Sequence, residues 1–161
     1  MGSTIKMFGN VDKASREVMG TSGSQTGITG YAFGLIGIAG GGDVKVSNIN
    51  FVYLAINYAD GNMVAAVIGF APSNLKFHDD GAKVTDKWSD NDTIGKDDVT
   101  ISNITVSGSI IAKQDVAGII GKAYNEGNVT ITNCINIAKI EQTNSESGRA
   151  SGILAYASGQ T

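Results

Sequence analysis

A short pattern of alternating apolar and polar positions occurs three times in the chain and ends each time at an asparagine followed by one apolar residue. Its copies are Val44–Ile49, Val99–Ile104 and Val129–Cys134. Strand side chains point alternately to opposite faces, so this pattern predicts short strands with one buried face. The asparagines tolerate the left-handed backbone conformation. We therefore expect a tight corner there, with amides that hydrogen-bond from copy to copy.

A second apolar pattern, interrupted by glycine, alternates with the first and occurs four times. Its copies are Ala32–Ala39, Val64–Ala71, Val116–Ala123 and Ala150–Ala157. The first pattern recurs after 55 and 30 residues, and the second after 32, 52 and 34. Both series contain one excess of about 20 residues, between Ala71 and Val99, so the underlying period is about 31 residues.

A period of this length with three short strands predicts one coil of a parallel β-solenoid per repeat. One coil cannot bury its own inward side chains, whereas stacked coils share them as continuous columns. We expect two such columns, formed by Val44, Val99 and Val129, and by Val46, Ile101 and Ile131. An α-helical bundle is excluded, because the chain favours β-branched residues and contains 22 glycines.

The second pattern has two adjacent apolar columns, which strict alternation cannot send to the same face. Lys122 must reach water and shares its parity with Ile120, so we expect the column of Ile120 to point outward and the pattern's central glycines to point inward. That outward column contains Ile36, Ile68, Ile120 and Leu154. So long an apolar stripe predicts a cover, either the insertion at 72–98 folding back or a partner chain or domain. The insertion is favoured because it follows this strand directly, with Phe77 and Trp88 as the expected contacts.

The repeats predict a single domain spanning 1–161. It comprises an N-terminal segment at 1–30, repeats at 31–71 and 99–161, and an insertion at 72–98. Lys13–Met19 has a weak helical pattern and is expected to form a short helix that caps the open end. Because the last apolar pattern lies next to the C-terminal Thr161, we expect further coils or a partner chain to cover that end. The chain is thus expected to be part of a longer protein.

The succession of Val-x-Ile-x-Asn-Cys and Gly-Ile-Ile-Gly resembles the GLUG-type repeats of large bacterial cell-surface proteins. The copies at Val99–Ala123 and Val129–Ala157 match best. The resemblance implies an all-β fold, a right-handed parallel β-helix of pectin-lyase-like architecture with about four coils here. It also implies an extracellular or cell-surface location and no single activity, since such repeats serve as spacers, adhesin parts or supports for other domains.

The insertion at 72–98 holds the chain's one proline, one histidine and one tryptophan, together with seven of its fifteen acidic residues. A flat apolar ring among carboxylates suits sugar binding, so the candidate glycan-binding residues are Trp88, His78, Asp86 and Asp90. The alternative is that Trp88 packs the loop onto the sheet. His78 and Asp79 are adjacent in sequence, so the pair lacks the geometry of a catalytic dyad.

A calcium site is the second candidate within the insertion. Residues 90–95 place oxygen ligands at alternate positions with glycine sixth, as at the start of a calcium-binding loop. The expected ligands are Asp90, Asp92, Asp97 and Asp98, whereas Ile94 and Ile101 stand where an EF-hand requires oxygen ligands. Calcium is the only cofactor that the sequence suggests.

Charge and composition limit the classes of partner. The formal net charge is −3, which does not favour nucleic-acid binding. The apolar stretch from Tyr31 to Gly42 is too short to insert into a membrane. A lone cysteine, Cys134, excludes an internal disulfide and is expected to pack inward. The expected partners are a glycan or a host or cell-surface protein.

The leading hypothesis is a non-enzymatic β-helix segment of a bacterial surface or secreted protein that supports adhesion or glycan binding. A lyase or hydrolase site would need clustered Asp, Lys and Arg. At the outward positions of the first pattern, Lys45 is the only charged residue, and the others are serine or threonine. Two alternatives stay open. One is a fragment of a polysaccharide lyase or glycosidase whose catalytic residues lie outside this chain, and the other is a purely structural spacer.

Overall fold

All the secondary structure described in the chain is β-strand. A computed structural model describes residues 3–5, 8–10, 31–39, 43–58, 60–72, 98–124, 128–144 and 146–158. The strands are β1 Ser3–Ile5, β2 Phe8–Asn10, β3 Tyr31–Phe33, β4 Ile36–Ile38, β5 Val44–Tyr58, β6 Gly61–Ala65, β7 Ile68–Pro72, β8 Val99–Ala112, β9 Asp115–Ala117, β10 Ile120–Tyr124, β11 Val129–Thr132, β12 Ile135–Asn136, β13 Lys139–Gln142, β14 Arg149–Ser151 and β15 Leu154–Ser158. Within these ranges the structure has no helix.

The strands form three sheets in which every pairing is parallel. The long sheet contains β1, β2, β5, β8 and β11 to β13; a second sheet has the order β14-β9-β6-β3, and a third has the order β15-β10-β7-β4. Each repeat copy therefore gives one or more strands to the long sheet and then one to each of the other two sheets, in the same chain order. The prediction of an all-strand fold with parallel sheets is confirmed for the described residues.

The predicted columns of the first pattern are confirmed by the strand register. Val44 pairs with Val99, which pairs with Val129, and Val46, Ile101 and Ile131 are aligned in the same way. Ile101 is fully buried and Val46 is 7% exposed, while Ile131 of the last copy is half-buried. Residues 55 and 30 positions apart thus become neighbours about 5 Å apart, the spacing between adjacent strands.

The corner asparagines also adopt the predicted backbone conformation. Their φ angles are 60° at Asn48, 55° at Asn103 and 52° at Asn133. In the middle copy this corner changes the side-chain parity, because Ile101 and Ile104 are three residues apart and both fully buried. The left-handed residue between them therefore turns two short apolar patterns toward one core.

The second pattern departs from strict alternation. Ile68 and Ile120, expected to point outward, have no exposed surface and belong to the same core cluster as Val67 and Ile119. The outward direction predicted for Ile68 and Ile120 is wrong, because residues 66–67 and 118–119 form bends rather than strands, and side chains need not alternate across a bend. A bend lets two successive side chains enter one core.

The glycines that follow these isoleucines lie against the backbone of neighbouring strands. A Cβ at Gly69 would lie 2.5 Å from the Phe33 nitrogen, and one at Gly121 would lie 2.7 Å from the Val64 nitrogen. The second and third sheets therefore approach too closely for any side chain there.

Two predicted segments lie outside the described residues: the helix at Lys13–Met19 and the insertion from residue 73 to residue 97, with its expected contacts Phe77 and Trp88. Among the described residues, no helix is long and apolar enough to cross a membrane.

Candidate functional site

The glycan-binding residues predicted from the sequence, Trp88, His78, Asp86 and Asp90, lie outside the described residues. The same holds for three of the predicted calcium ligands, Asp90, Asp92 and Asp97. These assignments stay predictions. In the part of the chain that the structure describes, no group of three or more His, Cys, Asp or Glu side chains is placed to hold a metal ion.

Asp98, the fourth predicted calcium ligand, joins neighbouring repeat copies. Its Oδ1 accepts hydrogen bonds from both the backbone N–H and the side-chain amide of Asn128, each at 3.0 Å. The backbone N–H of Asp98 in turn donates to Oδ1 of Asp43 at 2.9 Å. The same position before the first pattern thus links three copies through side-chain oxygens, which gives Asp98 a structural role.

The long sheet presents a largely polar surface to solvent, here called the outward face. Along its strands the inward positions are buried or half-buried, while polar residues occupy most of the outward ones. Ala55, Ser109 and Lys139 form one outward row across the three copies, and Asn57, Ile111 and Glu141 form the next. Lys139 and Glu141 form a salt bridge of 2.6 Å on this surface.

A bulge in β5 interrupts this regular face and aims an aromatic ring at solvent. Phe51 pairs with Val106 and Leu54 with Gly108, so Val52 and Tyr53 together stand opposite the single residue Ser107. Tyr53 has a φ of 55° and is 72% exposed. A bulge of this kind redirects side chains and is often found next to functional sites.

The hydroxyl of Ser107 replaces the regular backbone pairing at the bulge. It donates to the Phe51 carbonyl at 3.0 Å and accepts from the backbone N–H of Tyr53 at 3.3 Å. The neighbouring Gly108 has a φ of 116°, and a Cβ there would lie 2.1 Å from the Leu54 carbonyl oxygen. The hydrogen bonds of Ser107 and the close approach of Gly108 to Leu54 therefore fix the backbone around Tyr53.

Two more exposed apolar side chains lie on the same part of the outward face. Ile135 is 58% exposed and pairs with Thr105. Ile137 is 71% exposed and lies two residues further along, beside Ser107 if the same register continues. We call this surface the Tyr53 patch; it comprises Asn50, Tyr53, Thr105, Ser107, Ile135 and Ile137. It combines one aromatic ring and two aliphatic side chains with hydroxyl and amide groups.

A second candidate lies where the second and third sheets meet and is here called the Arg149 cluster: Asp115, Lys122, Arg149 and Tyr156. Nη1 of Arg149 lies 3.0 Å from Oδ1 of Asp115, whose side chain is 3% exposed. The Arg149 guanidinium lies over the Tyr156 ring, 4.1 Å from its centre, and the Lys122 ammonium lies 5.2 Å from the same centre. Two cations, one shielded carboxylate and one aromatic ring thus share one site.

The register explains how residues far apart in sequence meet in this cluster. Asp115 aligns with Met63 of the preceding copy and Arg149 of the next, while Lys122 aligns with Phe70 and Tyr156. In the preceding copy, Met63 and Phe70 form a small buried cluster with Ala32. The same two columns are therefore apolar in the preceding copy, whereas the two following copies place Asp115, Lys122, Arg149 and Tyr156 there. An alignment of the repeat copies would have placed these charged residues in shared columns. From the sequence, charged residues were considered only at the outward positions of the first pattern, and this cluster was therefore not found.

Comparison with known proteins gave no match to a family model, to a curated protein or to a solved structure.

Proposed function

We propose that this chain is a segment of a right-handed parallel β-helix of about four coils that binds glycans through the Tyr53 patch. In this proposal it belongs to a bacterial surface or secreted protein, as its similarity to GLUG-type repeats implies. The matching strand order in three parallel sheets and the columns shared by successive copies support the β-helix part of the proposal.

The observation that carries the binding proposal is the combination of strain and exposure at Tyr53. A left-handed backbone at a residue other than glycine costs on the order of 1–2 kcal/mol. Tyr53 is 72% exposed, so burial offsets little of that cost. Because stability alone does not account for an exposed, strained aromatic residue, we assign Tyr53 to contact with a ligand.

The chemistry of the Tyr53 patch fits a sugar. An aromatic ring offers a flat apolar surface for the C–H face of a pyranose, and Ile135 and Ile137 extend that surface across the neighbouring strand. Thr105 and Asn50 supply donors and acceptors for sugar hydroxyls, and Ser107 keeps one lone pair as an acceptor. The exposed side chains of the patch belong to neighbouring strands of one sheet, so the patch suits one side of a polymer rather than a small enclosed ligand.

Binding on a glycan array tests this proposal. The wild-type chain should bind at least one glycan, Tyr53→Phe should keep that binding because the ring remains, and Tyr53→Gly should lose it. Tyr53→Gly should fold at least as stably as wild type, because glycine adopts a φ near 55° without strain. Asn57→Ala, an exposed change two rows away, serves as the matched control and should bind as wild type does.

The outcomes separate this proposal from its alternatives. Equal binding by wild type and Tyr53→Gly would assign the glycan to another surface and contradict the role of Tyr53. The absence of binding to any arrayed glycan would contradict the proposal and leave the spacer role, or a role as part of a longer polysaccharide-degrading enzyme.

A further inference from the structure

The strands of the last repeat copy, β11 to β15, lie at an open end of the three sheets. Within the described residues each of them pairs with the preceding copy only. The inward side chains are incompletely covered at this end. Ile131 and Ile140 are half-buried, whereas the residues aligned with them in the preceding copy, Ile101 and Ile110, have no exposed surface. An edge of this kind is a template for pairing with another strand.

The open end carries two opposite charges that the same rows lack in the preceding copies. Lys139 and Glu141 occupy two outward rows of the long sheet, whose aligned residues are uncharged: Ser109, Ala55, Ile111 and Asn57. Their side chains are 70% and 43% exposed, and the half-buried Ile140 between them packs against the core. Edge lysines usually discourage pairing with another chain. Because Glu141 lies two residues from Lys139, this edge carries both signs and does not repel a second copy of itself.

We propose that two copies of this chain associate through the open ends of their last repeat copies, with their β13 strands antiparallel about a twofold axis at Ile140. In this arrangement Lys139 of each copy lies directly opposite Glu141 of the other. Opposite charges at directly opposed positions of antiparallel strands attract. Twofold contacts between identical surfaces are also the commonest arrangement in protein dimers. The same contact covers the inward apolar side chains of both open ends.

A head-to-tail stack of copies offers no such match. In that arrangement the row of Lys139 would continue at Phe8 of the next chain and the row of Glu141 at Asn10, and neither residue is charged. A head-to-tail contact would also repeat without closing and extend into a fibre. The charge pattern of β13 therefore favours a closed dimer. This inference does not depend on the glycan binding proposed for the Tyr53 patch.

Sedimentation velocity of the full chain at micromolar to submillimolar concentrations tests the inference. The wild-type chain should pass from monomer to dimer and no further. Lys139→Glu makes both positions acidic and Glu141→Lys makes both basic, so like charges meet twice in each dimer. Each variant should raise the dissociation constant of the dimer at least about tenfold. Lys45→Glu makes the same change of charge as Lys139→Glu at an exposed position away from the edge, and should change that constant less than about twofold.

Combining the two substitutions tests the antiparallel register. An equimolar mixture of the Lys139→Glu and Glu141→Lys chains should form heterodimers at least as stable as the wild-type dimer, because opposite charges meet at both positions. The double variant Lys139→Glu/Glu141→Lys should dimerise with itself as wild type does. Tyr53→Gly should leave dimerisation unchanged, which separates the open end from the Tyr53 patch.

Far-ultraviolet circular dichroism and urea unfolding of dilute samples establish that each variant is folded. A wild-type chain that stays monomeric at every concentration would overturn the inference and leave the open end to a further coil or a different protein. Oligomers that grow beyond the dimer would overturn it in favour of head-to-tail stacking. Equal weakening by Lys45→Glu and Lys139→Glu, or a mixture that associates no better than its components, would also contradict it. If one single variant does not fold, the other single variant and the double variant decide the question.

Discussion

The side-chain amide of Asn103 donates a 3.1 Å hydrogen bond to the side-chain oxygen of Asn48, which lies 55 residues earlier in the chain. Both residues have a left-handed backbone, with φ angles of 55° and 60°. Asn48 in turn donates to the hydroxyl of Ser47 at 3.2 Å. One residue type therefore both turns the chain and connects two repeat copies at the same corner.

Replacement of Asn103 should separate these two roles. Asn103→Ala keeps the strained φ and loses the amide, so we expect the free energy of unfolding to fall by about 1–2 kcal/mol. Asn103→Gly relieves the backbone and should lose less than Asn103→Ala. Urea unfolding of both variants is compared with that of Asn57→Ala, an exposed strand asparagine. Equal losses in Asn103→Ala and Asn57→Ala would contradict a special role for the corner.

Replacement by alanine should destabilise the chain strongly at one glycine and hardly at all at another. A Cβ at Gly108 would lie 2.1 Å from the Leu54 carbonyl oxygen in a backbone with a φ of 116°, whereas the nearest atom to a Cβ at Gly152 is 3.8 Å away. We expect Gly108→Ala to lower the free energy of unfolding by at least about 3 kcal/mol, and Gly152→Ala to change it by less than about 1 kcal/mol. If Gly108→Ala unfolds at the same urea concentration as Gly152→Ala, the bulge is not held as described.

The ion pair of Asp115 and Arg149 predicts a strongly coupled pair of substitutions. Arg149→Leu leaves the buried Asp115 carboxylate without its cation and should cost about 3 kcal/mol of stability. Adding Asp115→Met, which copies the residue at the aligned position 63, should restore wild-type stability or exceed it. Urea unfolding of both single variants and the double variant completes the cycle. Additive losses in the double variant would show that the two side chains do not interact.

The last repeat copy should tolerate loss of a core side chain better than the middle copy does. Ile101 is fully buried, and the aligned Ile131 is half-buried at the edge of the long sheet. We therefore expect Ile101→Ala to cost about 3–4 kcal/mol and Ile131→Ala about half of that. Chemical denaturation at low protein concentration measures both. Equal costs would indicate that Ile131 is covered, as by a further coil or a second copy of the chain.

The sequence predicted those features of the fold that depend on repetition. Val44, Val99 and Val129 were placed in one column because strand periodicity and the spacing of the copies agree, and the asparagine corners followed from the conformational tolerance of that residue. The direction of Ile68 and Ile120 could not be obtained in this way, because the adjacent bends break the alternation on which the argument depends.

The candidate sites were less accessible to sequence reasoning than the fold. Tyr53 stands out only when its strand is aligned with β8, which reveals the extra residue of the bulge. Asp115 and Arg149 are 34 residues apart and become neighbours only through the pairing of β9 with β14. The role predicted for Trp88 remains a prediction, since that residue lies outside the described residues.

The stacking of successive repeat copies in register is the claim on which the whole account depends, and disulfide formation between chosen positions tests it most directly. In a Cys134→Ala background, Thr100→Cys with Thr130→Cys places the two thiols on directly paired residues, with Cα atoms about 5 Å apart. Thr100→Cys with Thr132→Cys shifts one thiol by two residues, to about 8 Å, beyond the reach of a disulfide. After mild oxidation of the dilute monomer, mass spectrometry should find no free thiol in the first variant and two in the second. Two free thiols in the first variant, or a disulfide in the second, would contradict the register.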